Sequence, residues 1–418
     1  MNQKLKILSF TGQGIACSFA LPEIHKTLAR IGHEVLVVDI GTIEDVVRRD
    51  TLVIENTLAF EPDIILTIDI IGLVIAHFLS VPPLKIVSLF FDNPNTHFTP
   101  SELMLTMNNY FVFSIDREFV RQSFGAHLHY TPWYYDPDYF QDLGLDRIYD
   151  VSFIGHHNDY REKLFQRLAD QVKINIWGDD KWTAVDHPNI CFHGFAHPRK
   201  DAPTIYNRSK MVISLNAEQF SDGISERLYN IMACGALALT NTMPVIREHF
   251  TVGEELIVFH DPQDLAGQID GLLNNASRAR QIAENGKQKV ARSFTCERFL
   301  DAIINQVLQT DINLHDYQRS LQNFIDHVAP ACWDAYDFVG RIAYRQGLYD
   351  KACHHFTRAV EIDGTKGNSF LGQISSLLKT GKPEKAFQQY RKLCQIDDEK
   401  GALAKKLFTD NADLHFEM

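Results

Sequence analysis

The feature that most constrains this chain is a rhythm that runs twice. Short apolar runs alternate with amphipathic stretches over residues 1–150, and the alternation restarts at Val151. In the first half the strand candidates are Leu5–Phe10, Val35–Val38, Asp63–Ile68, Lys85–Phe91 and Tyr110–Ile115, with helical spacing in Leu21–Ile31 and Phe119–Phe124. In the second they are Val151–Ile154, Lys173–Trp177, Ile190–Phe192, Met211–Leu215, Leu237–Thr240 and Leu256–Phe259. Strands that read as continuous apolar runs between helical patterns belong to parallel sheets covered on both faces. The expectation is an α/β chain with two Rossmann-like domains, 1–150 and 151–310, facing each other across a cleft. Ligands of such sheets bind beyond the carboxyl ends of the strands.

From about Asp311 the strand rhythm stops and an internal repeat replaces it. Gly347 and Gly381 are 34 residues apart, as are Ala352 and Ala386, Phe356 and Tyr390, and Ala359 and Leu393. A 34-residue period with a glycine turn, a small residue at a helix crossing and an aromatic one turn later resembles tetratricopeptide repeats. The expectation for 311–418 is an all-α module of two such units, roughly 332–363 and 366–397, with Ala402–Phe408 as a capping helix. Two units are too few for independent stability, so the module is expected to lean on the rest of the chain or on a second copy.

A length of 418 residues with 45% hydrophobic and 22% charged residues suits two or three soluble globular domains. The net charge of −12 argues against nucleic acid and anionic membranes as partners, though not against a local basic pocket. Seven cysteines, an odd count scattered without C-x-x-C spacing, are poor material for a disulfide framework. No apolar run reaches the length of a membrane span, and the expected location is cytoplasmic.

The segment with the most chemistry is Ser221–Gly235. Asp222 reads as a helix N-cap, Gly223 as a place where a ligand approaches backbone, and Gly235 as the left-handed end of the helix. Ile224, Leu228 and Ile231 form an inward face, while Glu226, Arg227 and Asn230 share the other. A helix N-terminus beside a cation and hydrogen-bonding groups suits a nucleotide-sugar. Other strand ends carry related signals. Val151–Gly155 leads to a helix with Arg161, placed to clamp a diphosphate without metal. Gly178 and Gly194 end two more strands, with Trp177 or Phe195 near a base. Gly12 and Gly14 half-match a dinucleotide fingerprint closed by Asp39. Asp92, Asn93 and His97 follow the fourth strand as acceptor-side groups, and Asp116 after the fifth reads equally as catalytic acid or N-cap. The pairs Asp136/Asp138 and Asp179/Asp180 read as solvated loop acids, and no metal site is expected.

The block 222–235, with Asp63–Asp69, Phe91–Pro94, Phe113–Phe140, Val151–Gly155 and Leu256–Pro262, resembles GT-B glycosyltransferases of the retaining family-4 type. The pattern Asp-Gly-x-x-Glu-Arg-x-x-Asn is similar to their CgeB-like branch. The family has a second acid where Asn230 stands. The resemblance implies a UDP- or GDP-sugar donor held by the second domain and a glycan or protein acceptor held by the first, with no obligatory metal. It assigns sugar hydroxyls to Asp222, diphosphate to Arg161 and Arg227, and one ribose contact to Asn230. Glu226 has no counterpart there, and it joins Asp222, Asp92 and Asp116 as a catalytic candidate on its own chemistry. The rival readings are a non-catalytic scaffold working through its helical module, a sugar-nucleotide epimerase, and a dehydrogenase resting on Gly12, Gly14 and Asp39.

Overall fold

The computed structural model describes residues 4–12, 15–43, 46–68, 84–91, 109–122, 127–216, 222–312, 333–345 and 347–409. The first lobe is built on β1 (Lys6–Thr11), β2 (Glu34–Asp39), β3 (Ile64–Ile68), β4 (Lys85–Phe90), β5 (Tyr110–Ser114) and β6 (His127–Tyr130). These pair in parallel in the order β2-β1-β3-β4-β5-β6. Every residue of β3 and β5 is buried, which is why both read as unbroken apolar runs. Strand β6 has no such signal. Its four residues are half-buried at the sheet edge, where His127 stacks on Phe111 and His129 on Phe113 with ring centroids 4.3 and 5.0 Å apart.

The second lobe repeats the plan with β7 (Tyr149–Ile154), β8 (Ile174–Trp177), β9 (Ile190–Phe192), β10 (Ser209–Ser214), β11 (Leu237–Asn241) and β12 (Ile257–Phe259). Their order is β12-β11-β10-β7-β8-β9, again all parallel. The connections change direction between β1 and β3 in one sheet and between β7 and β10 in the other. A crevice opens at such switch points, beyond the strand ends.

The lobes are not separate packing units. Helix Cys296–Gln309 follows the last strand of the second lobe but lies against helix Ile15–Arg30 of the first. Phe299 packs at 4.9 Å from the Tyr134 ring, and one buried cluster runs from Leu21, Ile24 and Leu28 through Phe299 and Ile303 to Leu228 and Met232. The cause is the apolar stripe of this helix, Phe299, Leu300, Ile303, Ile304 and Val307, all buried.

In the C-terminal region the described helices are Trp333–Arg345, Tyr349–Ile362, Gly367–Lys379, Pro383–Leu393 and Asp398–Thr409. Gly347 and Gly381 turn two helix hairpins with φ of 75° and 70°, a conformation side-chain-bearing residues avoid. Ala352, Phe356, Ala359, Ala386, Leu393 and Ala404 are fully buried at 0% exposure, so the 34-residue period marks the packing surface. A Cβ built on Gly372 would meet the Phe356 ring at 2.4 Å, so this crossing is closed by a glycine. No helix among the described residues is long and apolar enough to cross a membrane.

Candidate active site

A cleft of about 420 Å³ lies between the lobes. The first lobe lines it with Ala20, Phe91, Ile115 and Trp133, and the second with the β7 and β8 ends and helix Glu226–Ala233. That size falls in the range of small-molecule sites. The helix is amphipathic for the expected reason: Leu228, Ile231 and Met232 are buried in the shared core, while Glu226, Arg227 and Asn230 line the cleft.

Its cap differs from the sequence reading. Ser225, not Asp222, is the N-cap, and its hydroxyl accepts from the Arg227 N–H at 3.3 Å. Asp222 is drawn away into a knot between the lobes. One carboxylate oxygen accepts from the Val245 N–H at 2.9 Å, and the other takes the Arg117 guanidinium, with Nε at 2.7 Å. Arg117 also pairs with Glu248. The Arg117 N–H donates to the Asp222 carbonyl at 3.0 Å, and an isolated antiparallel bridge joins Asp116 to Gly223. Asp116, completely buried, accepts from the backbone N–H groups of Glu118, Phe119 and Asp222, so of its two readings the structure displays the capping one. Asp116, Asp222 and Gly223 sit behind the cleft wall rather than on its surface.

Gly155 and Gly178 do line the cleft, yet both are glycines because of close packing. A Cβ on Gly178 would stand 2.2 Å from the Gly155 carbonyl, and one on Gly155 would stand 2.7 Å from the Phe153 ring. Asn158 caps helix Asp159–Ala169 and turns Arg161 under this loop. Its guanidinium lies 5.5 Å from the Phe153 ring centroid and donates to the His156 carbonyl at 2.6 Å. Arg161 therefore holds the loop in place from below. Trp177 is buried and stacks on His193 at 4.4 Å, which removes it from the base-contact role. Phe195 is 67% exposed on the cleft rim. Gly12 follows β1 and is not among the residues that line the cleft, and Asp39 is spent on the Gly41 N–H at 2.9 Å. Gly14, Asp92, Asn93 and His97 lie outside the described residues.

Sequence reading missed Arg199 and Tyr206, which both line the cleft, and took Asp136 for a solvated loop acid. Arg199 lines the cleft, lies 4.5 Å from the Tyr139 ring centroid and pairs with Asp136 at 3.1 Å. Asp136 is not a solvated loop acid: it is 6% exposed, and burial raises its carboxyl above the ordinary range against the pull of Arg199. Asp179 is equally committed, accepting from the His157 N–H at 2.8 Å and from His156 Nδ1 at 3.1 Å. Carboxylate atoms of Glu23, Asp136 and Asp138 come within 4.8 Å of one another, with Lys26 paired to Asp138. No local motif marked Arg199, because its partners come from the interlobe connection.

The cleft wall presents two acids, Asp179 and Glu226. The Glu226 side chain is exposed to the cleft, and desolvation by the surrounding protein raises its carboxyl although Arg199, Asn230 and Arg227 pull the other way. Arg227 donates to the Leu215 carbonyl at 3.2 Å. Arg199, Arg227, the Glu226 carboxylate and the Asn230 amide form a polar array suited to a phosphorylated, hydroxyl-rich ligand.

Residues 161–305 match the model of the glycosyl transferase-like family. No curated protein matches the chain. Among solved structures, Anabaena HepE in complex with UDP and glucose is 16% identical, with 73% of this chain and 100% of that one covered at a TM-score of 0.55. A glycosyltransferase from Rickettsia africae is 13% identical, with 74% and 100% covered at 0.59. The sucrose-phosphate synthase of Thermosynechococcus elongatus is 12% identical, with 73% and 99% covered at 0.56. The two parallel-sheet lobes of this chain have the GT-B fold.

Proposed function

We propose that this chain is a glycosyltransferase that moves a sugar from a nucleotide-diphosphate-sugar, UDP-linked in the first instance, to a glycan or protein acceptor. The observation that carries the reading is the wall formed by Glu226, Arg227, Asn230 and Arg199, which faces an interlobe cleft at the switch point of the second sheet. All four residues lie in the segment that matches the glycosyl transferase-like model. HepE, of the same fold, has been captured with UDP-glucose.

Departure of a nucleoside diphosphate develops negative charge, and preorganised cations in an enclosed site stabilise it in the transition state. Arg227 and Arg199 take that role in our reading, and the metal-free mechanism follows from them. Retention of anomeric configuration comes with the family-4 resemblance. The helical C-terminal region, read as a tetratricopeptide module, presents the acceptor or a second copy. A panel of UDP-, GDP- and ADP-sugars tests the proposal by thermal shift and by release of free diphosphate. Stabilisation and slow hydrolysis with one nucleotide class is expected, and no response to any of them refutes it.

A further inference from the structure

Arg147 stands on the interlobe connection, two residues before β7, and is half-buried. Its guanidinium donates to four backbone carbonyls in two pairs. Nη1 reaches Tyr206 at 2.8 Å and Ser209 at 2.9 Å, and Nη2 reaches Cys234 at 3.0 Å and Gly235 at 2.9 Å. The first pair flanks the end of helix Ala202–Asn207, and the second the end of helix Glu226–Ala233. Carbonyls at a helix C-terminus lack partners within the helix and carry the negative end of its dipole, so one planar cation joins two ends that would otherwise repel. The connection grips the first helix again through Asn207, which is completely buried. Its amide accepts from the Leu143 N–H at 2.7 Å and donates to the Gln141 carbonyl at 2.8 Å. Gly235 leaves room for the guanidinium, since a Cβ there would meet Arg147 Nη2 at 3.1 Å.

Both helices line the cleft, and Tyr206 links them. Its carbonyl is held by Arg147, its side chain is buried in the cleft wall, and its hydroxyl lies against the Arg227 guanidinium. A cation that served only to cap a helix would need one end. A clamp on two ends, whose shared residue touches a cleft cation, sets a spacing. We infer that Arg147 is a positioning residue for the phosphate site: it fixes the two cleft helices against each other and, through Tyr206, aims the Arg227 guanidinium at the diphosphate. This rests on the nucleotide-sugar reading and adds where the geometry of the phosphate site comes from, namely the connection between the lobes. Lysine cannot replace Arg147 in this role, because a single ammonium has no planar fork to span two pairs of carbonyls.

The test is titration calorimetry of the full chain with UDP and with uridine, which carries the base and ribose but no phosphate. In Arg147→Lys, UDP should weaken roughly 10-fold, the cost of misaligning one charge-assisted contact, while uridine binds as before. Tyr206→Phe keeps the carbonyl and the ring and removes only the hydroxyl, so it should show the same selective loss at an unchanged melting temperature. The two changes act on one relay, and the double variant should lose no more than either alone. Equal weakening of UDP and uridine in Arg147→Lys would reduce Arg147 to a cap that stabilises the fold. Full UDP affinity in either single variant, or additive losses in the double variant, also overturns the inference, and Tyr206→Phe decides it should the Arg147 variant not fold. If the unaltered protein binds neither a nucleoside diphosphate nor its sugar, the glycosyltransferase reading falls and this inference falls with it.

Discussion

Removing Arg117 should do more to the lobe arrangement than removing any other surface-reaching cation. Its side chain is 20% exposed and its partner Asp222 only 6%, so Arg117→Ala leaves a carboxylate behind the cleft wall with one remaining donor, the Val245 N–H. Breaking a buried pair by deleting one partner costs roughly 3–5 kcal/mol; the partial exposure of Arg117 and the surviving backbone bond place this case near the lower end, about 3 kcal/mol. The Glu248 arm adds little, because that carboxylate is 56% exposed and such pairs contribute about 0–1 kcal/mol. For a lobe of this size a loss of about 3 kcal/mol lowers the melting temperature by roughly 6–12 °C. The assay is thermal and urea unfolding of four proteins: unaltered, Arg117→Ala, Asp222→Asn and the double variant. Because the cost comes from a stranded charge, Asp222→Asn should rescue Arg117→Ala by more than about 1 kcal/mol. Glu248→Gln should be almost silent. Additive losses in the double variant, or an Arg117→Ala cost no larger than that of Glu248→Gln, would refute the reasoning.

Arg199→Ala should weaken UDP binding roughly 10- to 100-fold by calorimetry, and unchanged affinity would place the phosphates elsewhere. The same variant should lower stability at neutral pH and gain it back in mild acid, since the unpaired Asp136, already raised by burial, then protonates more readily; a pH-independent melting difference would contradict this. Gly372→Ala should destabilise the helical region by about 1–3 kcal/mol, because its methyl group meets the Phe356 ring, while leaving the UDP affinity unchanged. Ala352→Glu or Ala386→Glu should unfold that region by burying an unpaired charge, seen as lost helical circular dichroism. A chain ending near residue 325 should keep donor hydrolysis and lose transfer to its acceptor or self-association, and normal transfer by a protein of unchanged oligomeric state would remove both roles. EDTA should leave the activity intact, and a strict divalent-metal requirement would refute the arginine-based mechanism.

The elements and their class are legible along the chain, because burial on both faces leaves a readable mark. Strands β3, β5, β8 and β11 are apolar runs wherever they lie, and the period that sets Gly347 against Gly381 follows from helix hairpins stacking at a constant repeat. The polar face of helix Glu226–Ala233 was readable in the same way, since residues one turn apart share a face in any helix. Roles were less legible. Asp222 beside a glycine looked like a cap and a ligand contact, but Arg117, 105 residues earlier, claims its carboxylate. Arg161 and Trp177 looked exposed at strand ends, and packing under Gly155 and against His193 took them inward. Arg199 and Tyr206 carried no local signal at all, and Asp136 showed only an acid pair with Asp138. Edge strand β6 was invisible because its pairing, rather than its composition, makes it a strand. Periodicity reports which side of an element is buried, and that much is local. Which polar groups meet across the cleft depends on how two lobes and one returning helix pack, and only the tertiary structure decides it.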